Sequence, residues 1–230
     1  MNPDGPLIVQ SDRTVLLEVA HPLSEPARHA LAVFADLERA PEHIHTYRIT
    51  RLGLWNARAA GHTTEEILGT LEEFSKFPVP PGISEEITDT IRRYGQIDIT
   101  REGEELFLHC HDAAIEAEIT RTAKIADLLG PRDDQGRFPL AAWSRGLIKQ
   151  ELLKRGWPAA DHAGFTNGTP QDISLAQGSW DLRHYQIEAV KRFCESGSGV
   201  VVLPCGAGKT LVGAGVMAQL DTSTLILVTN

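Results

Sequence analysis

Apolar and polar positions along the chain alternate between two rhythms. Leu7-Ile8-Val9-Gln10 and Thr14-Val15-Leu16-Leu17-Glu18-Val19 read as two strands joined by a turn at Ser11-Asp12-Arg13. From Ser24 the spacing turns helical: Ser24 is the expected cap, Pro26 sits in the first turn, and Leu31, Phe34 and Leu37 form the stripe. Leu52 to Ala57 opens another helix, stopped at Gly61. Thr63-Thr64-Glu65-Glu66 is a capping box ahead of Ile67, Leu68, Leu71 and Phe74. Pro78, Pro80, Pro81 and Gly82 break the chain, after which Ser84 is expected to cap a helix carrying Ile87, Ile91 and Tyr94. Leu106-Phe107-Leu108, Ile115 and Ile119 alternate partially, so residues 104–120 predict strands. A short helix over Thr122 to Leu129 ends at Gly130-Pro131, and a polar turn follows over residues 132–137. Leu147, Ile148, Leu152 and Leu153 mark a helix terminated by Gly156 and Pro158. Residues 158–179 read as a linker.

A third unit begins at Trp180. Leu182, Tyr185, Ala189, Val190 and Phe193 predict the buried side of a helix that ends at Ser196-Gly197-Ser198-Gly199. Val200, Val201, Val202 and Leu203 then look like a buried strand, and Leu211, Val212, Val216, Met217 and Leu220 like a helix face. Between them runs Pro204-Cys205-Gly206-Ala207-Gly208-Lys209-Thr210. Strand, glycine-containing loop, Lys-Thr and helix is the layout of a phosphate-binding P-loop, in which backbone amides and the helix N-terminus face the anion. Lys209 would reach the β- and γ-phosphates, and the Thr210 hydroxyl would sit on magnesium. The loop departs from the general motif, which has a glycine where Leu203 stands. Thr224 to Thr229 reads as a second buried strand, making a parallel strand–helix–strand unit. One crossover cannot cover both faces of such a sheet, so the third unit reads as incomplete.

Charge changes the picture in one place. The 230 residues carry a net charge of −9, which speaks against nucleic-acid binding by bulk electrostatics. Residues 121–157 nevertheless hold 8 Lys/Arg against 4 Asp/Glu, in a chain that is acidic on both sides. That segment also contains Phe138, Trp143 and Trp157. Basic side chains contact phosphates and aromatics stack on bases, although both tryptophans read as core residues. Three widely spaced cysteines, Cys110, Cys194 and Cys205, suggest neither a disulfide framework nor a zinc knuckle. With no apolar run of about 18 residues and no signal-like N-terminus, a cytoplasmic, membrane-free protein is expected.

Leu182-Arg183-His184-Tyr185-Gln186 lies just ahead of the loop and is similar to the Q motif of superfamily 2 helicases. Gln186 carries a donor and an acceptor, which suits an adenine edge. Together with Val201-Val202-Leu203-Pro204-Cys205-Gly206-Ala207-Gly208-Lys209-Thr210 and Thr224 to Asn230, this stretch resembles the bacterial XPB-type DNA helicases. Pro6 to Asp12, Tyr47-Arg48-Ile49-Thr50 and Leu54 to Gly61 are similar to their N-terminal domain. The resemblance implies a multidomain α/β and α+β protein: an accessory domain over 1–100, a damage-recognition-like domain over 101–165, and the start of a RecA-like motor domain over 166–230. It implies ATP-driven 3′-to-5′ DNA unwinding or translocation. Lys209 and Thr210 would be catalytic. Arg183, Gln186, Pro204, Cys205, Gly206, Ala207 and Gly208 would join them in holding ATP, with Mg2+ on Thr210. DNA contacts would come from among Arg121, Lys124, Arg132, Arg137, Arg145, Lys149, Lys154 and Arg155. DNA, ATP and a repair nuclease or other repair protein are the expected partners.

Hydrolysis also needs an acidic Asp-Glu motif and arginine fingers, and none follows Lys209 within these residues. The expectation is therefore a helicase cut short, with little or no ATPase activity of its own. The alternative is a truncated DNA- or partner-binding module without motor activity. A P-loop kinase or GTPase is a third reading, disfavoured by the loop variant. His43-Ile44-His45 and His109-Cys110-His111 each lack a partner cluster and are not read as metal sites.

Overall fold

A computed structural model describes residues 4–166, 168–176 and 181–228. Trp180, Thr229 and Asn230, which figure in the expectations above, lie outside the described residues. The chain divides into two compact units, Met1–Gly164 and Phe165–Asn230.

The first unit opens on an antiparallel sheet. β1 (Leu7–Val9) and β2 (Thr14–Glu18) form the expected hairpin, with Arg13 in the left-handed region at φ 72°. The Asp12 carboxylate makes this turn workable by accepting from the Thr14 amide at 3.0 Å. The sheet continues through β4 (Ile44–Ile49) to β3 (Ala35–Arg39), in the order β1-β2-β4-β3. α1 (Ser24–Leu31), α2 (Arg51–Ala59) and α3 (Thr64–Phe74) touch its strands, and α4 (Pro81–Arg92) packs on α2 and α3. The capping box at α3 forms as its sequence predicts, with Thr63 and Glu66 each accepting the other's backbone N–H.

Several expectations are corrected here. The helical stripe from Ser24 stops at Leu31, and Leu37 lies on β3, 53% exposed. Pairing of β3 with β4, a partner remote in sequence, overrides the local spacing. Ser24 is the first residue of α1 rather than its cap, and makes no side-chain cap. Ser84 lies inside α4, whose start is set by Pro80 and Pro81, since proline suits the first helical turn. Ile115 and Ile119 are four apart and face the core from α5 (Ala113–Thr120), not from a strand. Asp112 caps that helix by accepting from the amides of Ala114 and Ile115.

A second sheet has the order β7-β6-β5-β8, built from β5 (Ile97–Glu102), β6 (Glu105–Cys110), β7 (Arg137–Leu140) and β8 (Ala159–Asp161). β8 runs parallel to β5 within the stretch expected to be linker. Helices α5, α6 (Ala123–Ala126) and α7 (Arg145–Lys154) accompany this sheet. One buried cluster gathers residues from Leu7 to Ile91, and another from Ile97 to Ala163. Ile97 and Ile99 belong to the second cluster.

Among its described residues the second unit holds α8 (His184–Ser196) and α9 (Lys209–Leu220), with a single bridge, Pro170 to Thr222. Gly197, at φ 72°, ends α8 as expected. Its buried residues are Gln186 and Val190, whereas Tyr185 is exposed. The expected parallel sheet is absent among the described residues: Val200–Leu203 and Thr224–Val228 lie outside any strand. Val200, Val202, Leu225 and Leu227 are each more than four-fifths exposed. Two apolar segments joined by one crossover helix would form a sheet bare on one face and along both edges, too little burial to offset the ordering cost.

Candidate nucleotide site and the basic segment

The Pro204–Thr210 loop adopts a tight cradle without its strand. Gly206 and Gly208 both have φ +77°, a conformation glycine reaches without strain. Ala207 closes the turn by donating its amide to the Pro204 carbonyl at 3.3 Å. α9 begins directly at Lys209, and its N-cap, Gly208, offers no side-chain cap. The amides of Gly206, Gly208, Lys209 and Thr210 consequently make no hydrogen bond among the described residues. Unpaired amides at a helix start, next to a lysine, form an anion site. The Lys209 ammonium curls back over the loop and donates to the carbonyls of Leu203 and Pro204 at 2.9 and 3.1 Å. Thr210 and Cys205 are exposed.

Gln186 has a different place from the one its sequence suggests. It is 2% exposed, and its Oε1 accepts from the Arg183 amide at 2.9 Å. Its Nε2 donates to the Ala207 carbonyl at 2.9 Å. The Tyr185 hydroxyl, itself 3.4 Å from an Arg183 guanidinium nitrogen, reaches the same carbonyl at 2.9 Å. Both ends of the Gln186 amide are thus committed to protein, and the side chain braces the loop against α8 instead of presenting an open edge to adenine. Tyr185 was missed as a site residue because its spacing reads as helix core.

The residues present fit a nucleotide's phosphates: orphaned amides, a lysine and a hydroxyl converge on one loop. For magnesium, Thr210 supplies one neutral oxygen, and phosphate oxygens and water would complete the shell. Among the described residues no group of three His, Cys, Asp or Glu side chains could hold a metal.

The basic segment is largely neutralised. Arg132 pairs with Glu116, and Arg137 with Glu102 and Asp133. Arg145 and Lys149 both reach Asp161, at 2.7 and 2.8 Å. Burial pushes the Asp161 carboxyl up, but hydrogen bonds from these two side chains outweigh it and hold the group low. Lys154 and Arg155 both bond Glu151, and those hydrogen bonds bring its pKa down to about 2. Six of the eight expected DNA contacts are therefore engaged in ion pairs. Arg121 and Lys124 are exposed and pair with no carboxylate among the described residues. Trp143 stands 72% exposed, against the expectation of a core residue. The Trp157 ring is half-buried, and its indole donates to Glu118 at 3.1 Å.

The loop, its lysine and the start of α9 are thus brought together at residues 204–210. Comparison with known proteins narrows the class. Residues 7–134 match a family model described as the helicase conserved C-terminal domain. Residues 179–230 match one described as the type III restriction enzyme, res subunit. The chain belongs to the helicase family whose model matches residues 7–134. It is 54% identical over 228 residues to a DNA 3′-5′ helicase XPB of Kineococcus radiotolerans, and 54% identical to its namesake in Mycobacterium tuberculosis. Each of those alignments takes in 99% of the chain and 41% or 42% of the relative. A Saccharomyces cerevisiae general transcription and DNA repair factor IIH helicase/translocase subunit is 27% identical over 97% of the chain and 33% of its own length. The chain thus spans about two fifths of the length of the bacterial relatives. No helix among the described residues is long and apolar enough to cross a membrane.

Proposed function

We propose that this chain is the front portion of an ATP-dependent 3′-to-5′ DNA helicase or translocase, and that the Pro204–Thr210 loop binds the phosphates of ATP with Mg2+. The observation that carries this reading is the set of four unpaired amides at Gly206, Gly208, Lys209 and Thr210. On nucleotide binding, Lys209 would exchange its two loop carbonyls for phosphate oxygens. Gln186 and Tyr185 fix the Ala207 carbonyl against α8, which holds the loop while its free amides face the anion. ATP supplies the phosphoryl-transfer energy. These residues bind and orient it, and no acidic motif for activating water follows Lys209 in this sequence.

The division into an accessory domain, a damage-recognition-like domain and the start of a motor domain is part of the same proposal. The two buried clusters and the unit boundary at Gly164 support it. DNA contact by Arg121 and Lys124 is supported by their exposure and lack of a carboxylate partner. The eukaryotic relative's name supports a role in transcription and repair. The comparisons lend no support to a repair nuclease as partner.

The test is a titration of the 230-residue chain with ATP and magnesium, with and without Lys209→Ala. Saturable binding weakened at least tenfold by the substitution is expected. Equal binding by both proteins would remove the loop from the reading. Little turnover is expected from either, and DNA-stimulated hydrolysis by this chain would instead require a catalytic acid not identified here.

A further inference from the structure

We propose that Arg51 and Arg93 form a phosphate-binding site at the Gly156 turn, outside the segment to which sequence assigns the basic contacts. Arg51 opens α2 and Arg93 caps the end of α4. Both are exposed, and neither pairs with a carboxylate among the described residues. Their guanidiniums nevertheless converge. A Cβ placed on Gly156 would stand 3.1 Å from Nη1 of Arg93 and 3.9 Å from Nη1 of Arg51. Gly156, at φ +80°, has no side chain, and the Arg93 guanidinium crowds the place where one would stand. The one hydrogen bond seen for either guanidinium runs from Arg93 to the Gly156 carbonyl, at a long 3.5 Å. Arg93 lies over the Trp157 ring, its Cζ 4.9 Å from the centroid. Stacking occupies the face of the guanidinium and leaves N–H edges for an anion.

Two guanidiniums meeting at one point, neither within ion-pair distance of a carboxylate among the described residues, repel each other, and an anion between them reverses the sign. A cavity of about 300 Å³ adjoins both arginines. Glu85, Glu86 and Asp89 also line it, but Glu86 is engaged by Arg13 at 3.2 Å. Glu85 and Asp89 form no ion pair with Arg51 or Arg93 within 4.0 Å. Two guanidinium forks approaching from different helices suit the several oxygens of a phosphoryl group better than the two of a carboxylate. The phosphate is either a diester of a nucleic-acid backbone or a free inorganic anion. The site uses no residue of the Lys209 loop, so it stands or falls separately from the nucleotide reading.

The experiment uses the full 230-residue chain. Anisotropy of a labelled, single-strand-tailed DNA duplex is followed across salt for Arg51→Gln, Arg93→Gln and Arg39→Gln. Arg39 is an exposed arginine on β3 and serves as a charge-matched control. Each of the first two is expected to weaken binding about tenfold and to lower the salt slope by about one, with the control unchanged. In a second arm, inorganic phosphate and pyrophosphate are titrated in the Lys209→Ala background, with Trp157→Phe identifying the fluorescence of the neighbouring indole. A saturable signal lost in Arg93→Gln assigns the site to the free anion. DNA dependence without such a signal assigns it to the backbone. If neither arm distinguishes Arg51→Gln and Arg93→Gln from Arg39→Gln, the site does not exist. Thermal melts of each variant exclude unfolding as the cause.

Discussion

Gln186 fills the space that a side chain on Gly208 would need: its Nε2 lies 2.5 Å from where that Cβ would stand. Gly208 is also at φ +77°, so two independent constraints exclude a side chain there. Gly208→Ala is expected to cost about 1–2 kcal/mol for the left-handed backbone alone and to displace Gln186 besides. Because the loop amides are set by this contact, nucleotide affinity should fall with it. A titration of Gly208→Ala that matched the unsubstituted chain would show that the brace does not shape the cradle.

The same contact separates two roles for Gln186. If it reads adenine, Gln186→Ala weakens ATP and leaves GTP untouched. If it braces the loop, as its buried and doubly engaged amide indicates, both nucleotides lose affinity to a similar degree. Parallel titrations with the two nucleotides decide between them, and the expected result is a common loss.

Sequence made the local features legible. The α3 capping box, the Gly197 helix stop and the β1–β2 hairpin are each written in a few adjacent residues, and each forms. Features that depend on distant partners were not legible. Residues 35–39 carry a helical spacing but become β3 because β4 pairs with them, and β8 arises in a polar stretch because β5 accepts it in parallel. The valines at 200–202 have strand chemistry but lie outside any sheet among the described residues. At the site, the loop glycines and Lys209 could be found from spacing. The Glu151 pairs of Lys154 and Arg155 follow helical spacing. The neutralisation of Arg132, Arg145 and Lys149 could not be found so, because Glu116 and Asp161 are brought in by the fold. The same applies to the Arg51–Arg93 convergence.

Cysteine chemistry gives a residue-level check on the loop. Burial, with a contribution from Glu116, pushes the Cys110 thiol up to about 12, and burial also raises Cys194. Cys205 is exposed in the phosphate loop. A thiolate reacts and a thiol does not, so a limiting amount of iodoacetamide near pH 8 should label Cys205 first and leave Cys110 unmodified. Mass spectrometry of the digested protein reads the order. ATP with magnesium should slow labelling of Cys205 if nucleotide occupies the loop.

The Glu151 cluster makes a pH prediction with a definite sign. Its folded pKa is depressed to about 2 by hydrogen bonds from Lys154 and Arg155. A depressed carboxyl contributes stability that is fully present above its unfolded pKa of about 4.3 and is lost as the pH falls towards the folded value. Acid melts should therefore weaken the first unit between about pH 4.5 and pH 2. Glu151→Gln should flatten part of that dependence while leaving the higher-pH range with a uniformly lower melting point. An unchanged acid profile in the variant would show that the ion pairs do not persist in solution.

The unformed sheet can be tested by placing a charge where a buried strand would not accept one. Val202 is 85% exposed and outside any strand, so Val202→Asp should alter stability by no more than about 0.5 kcal/mol. Leu106, 1% exposed on β6, supplies the contrast: Leu106→Ala removes buried contacts and leaves a cavity, costing about 2–5 kcal/mol. Urea unfolding of the two variants, followed by circular dichroism, measures both. Were Val202→Asp as damaging as Leu106→Ala, residues 200–203 would have to be packed in a sheet in solution. If instead Val202→Asp is neutral, the phosphate loop holds its shape through α8, Gln186 and α9 alone.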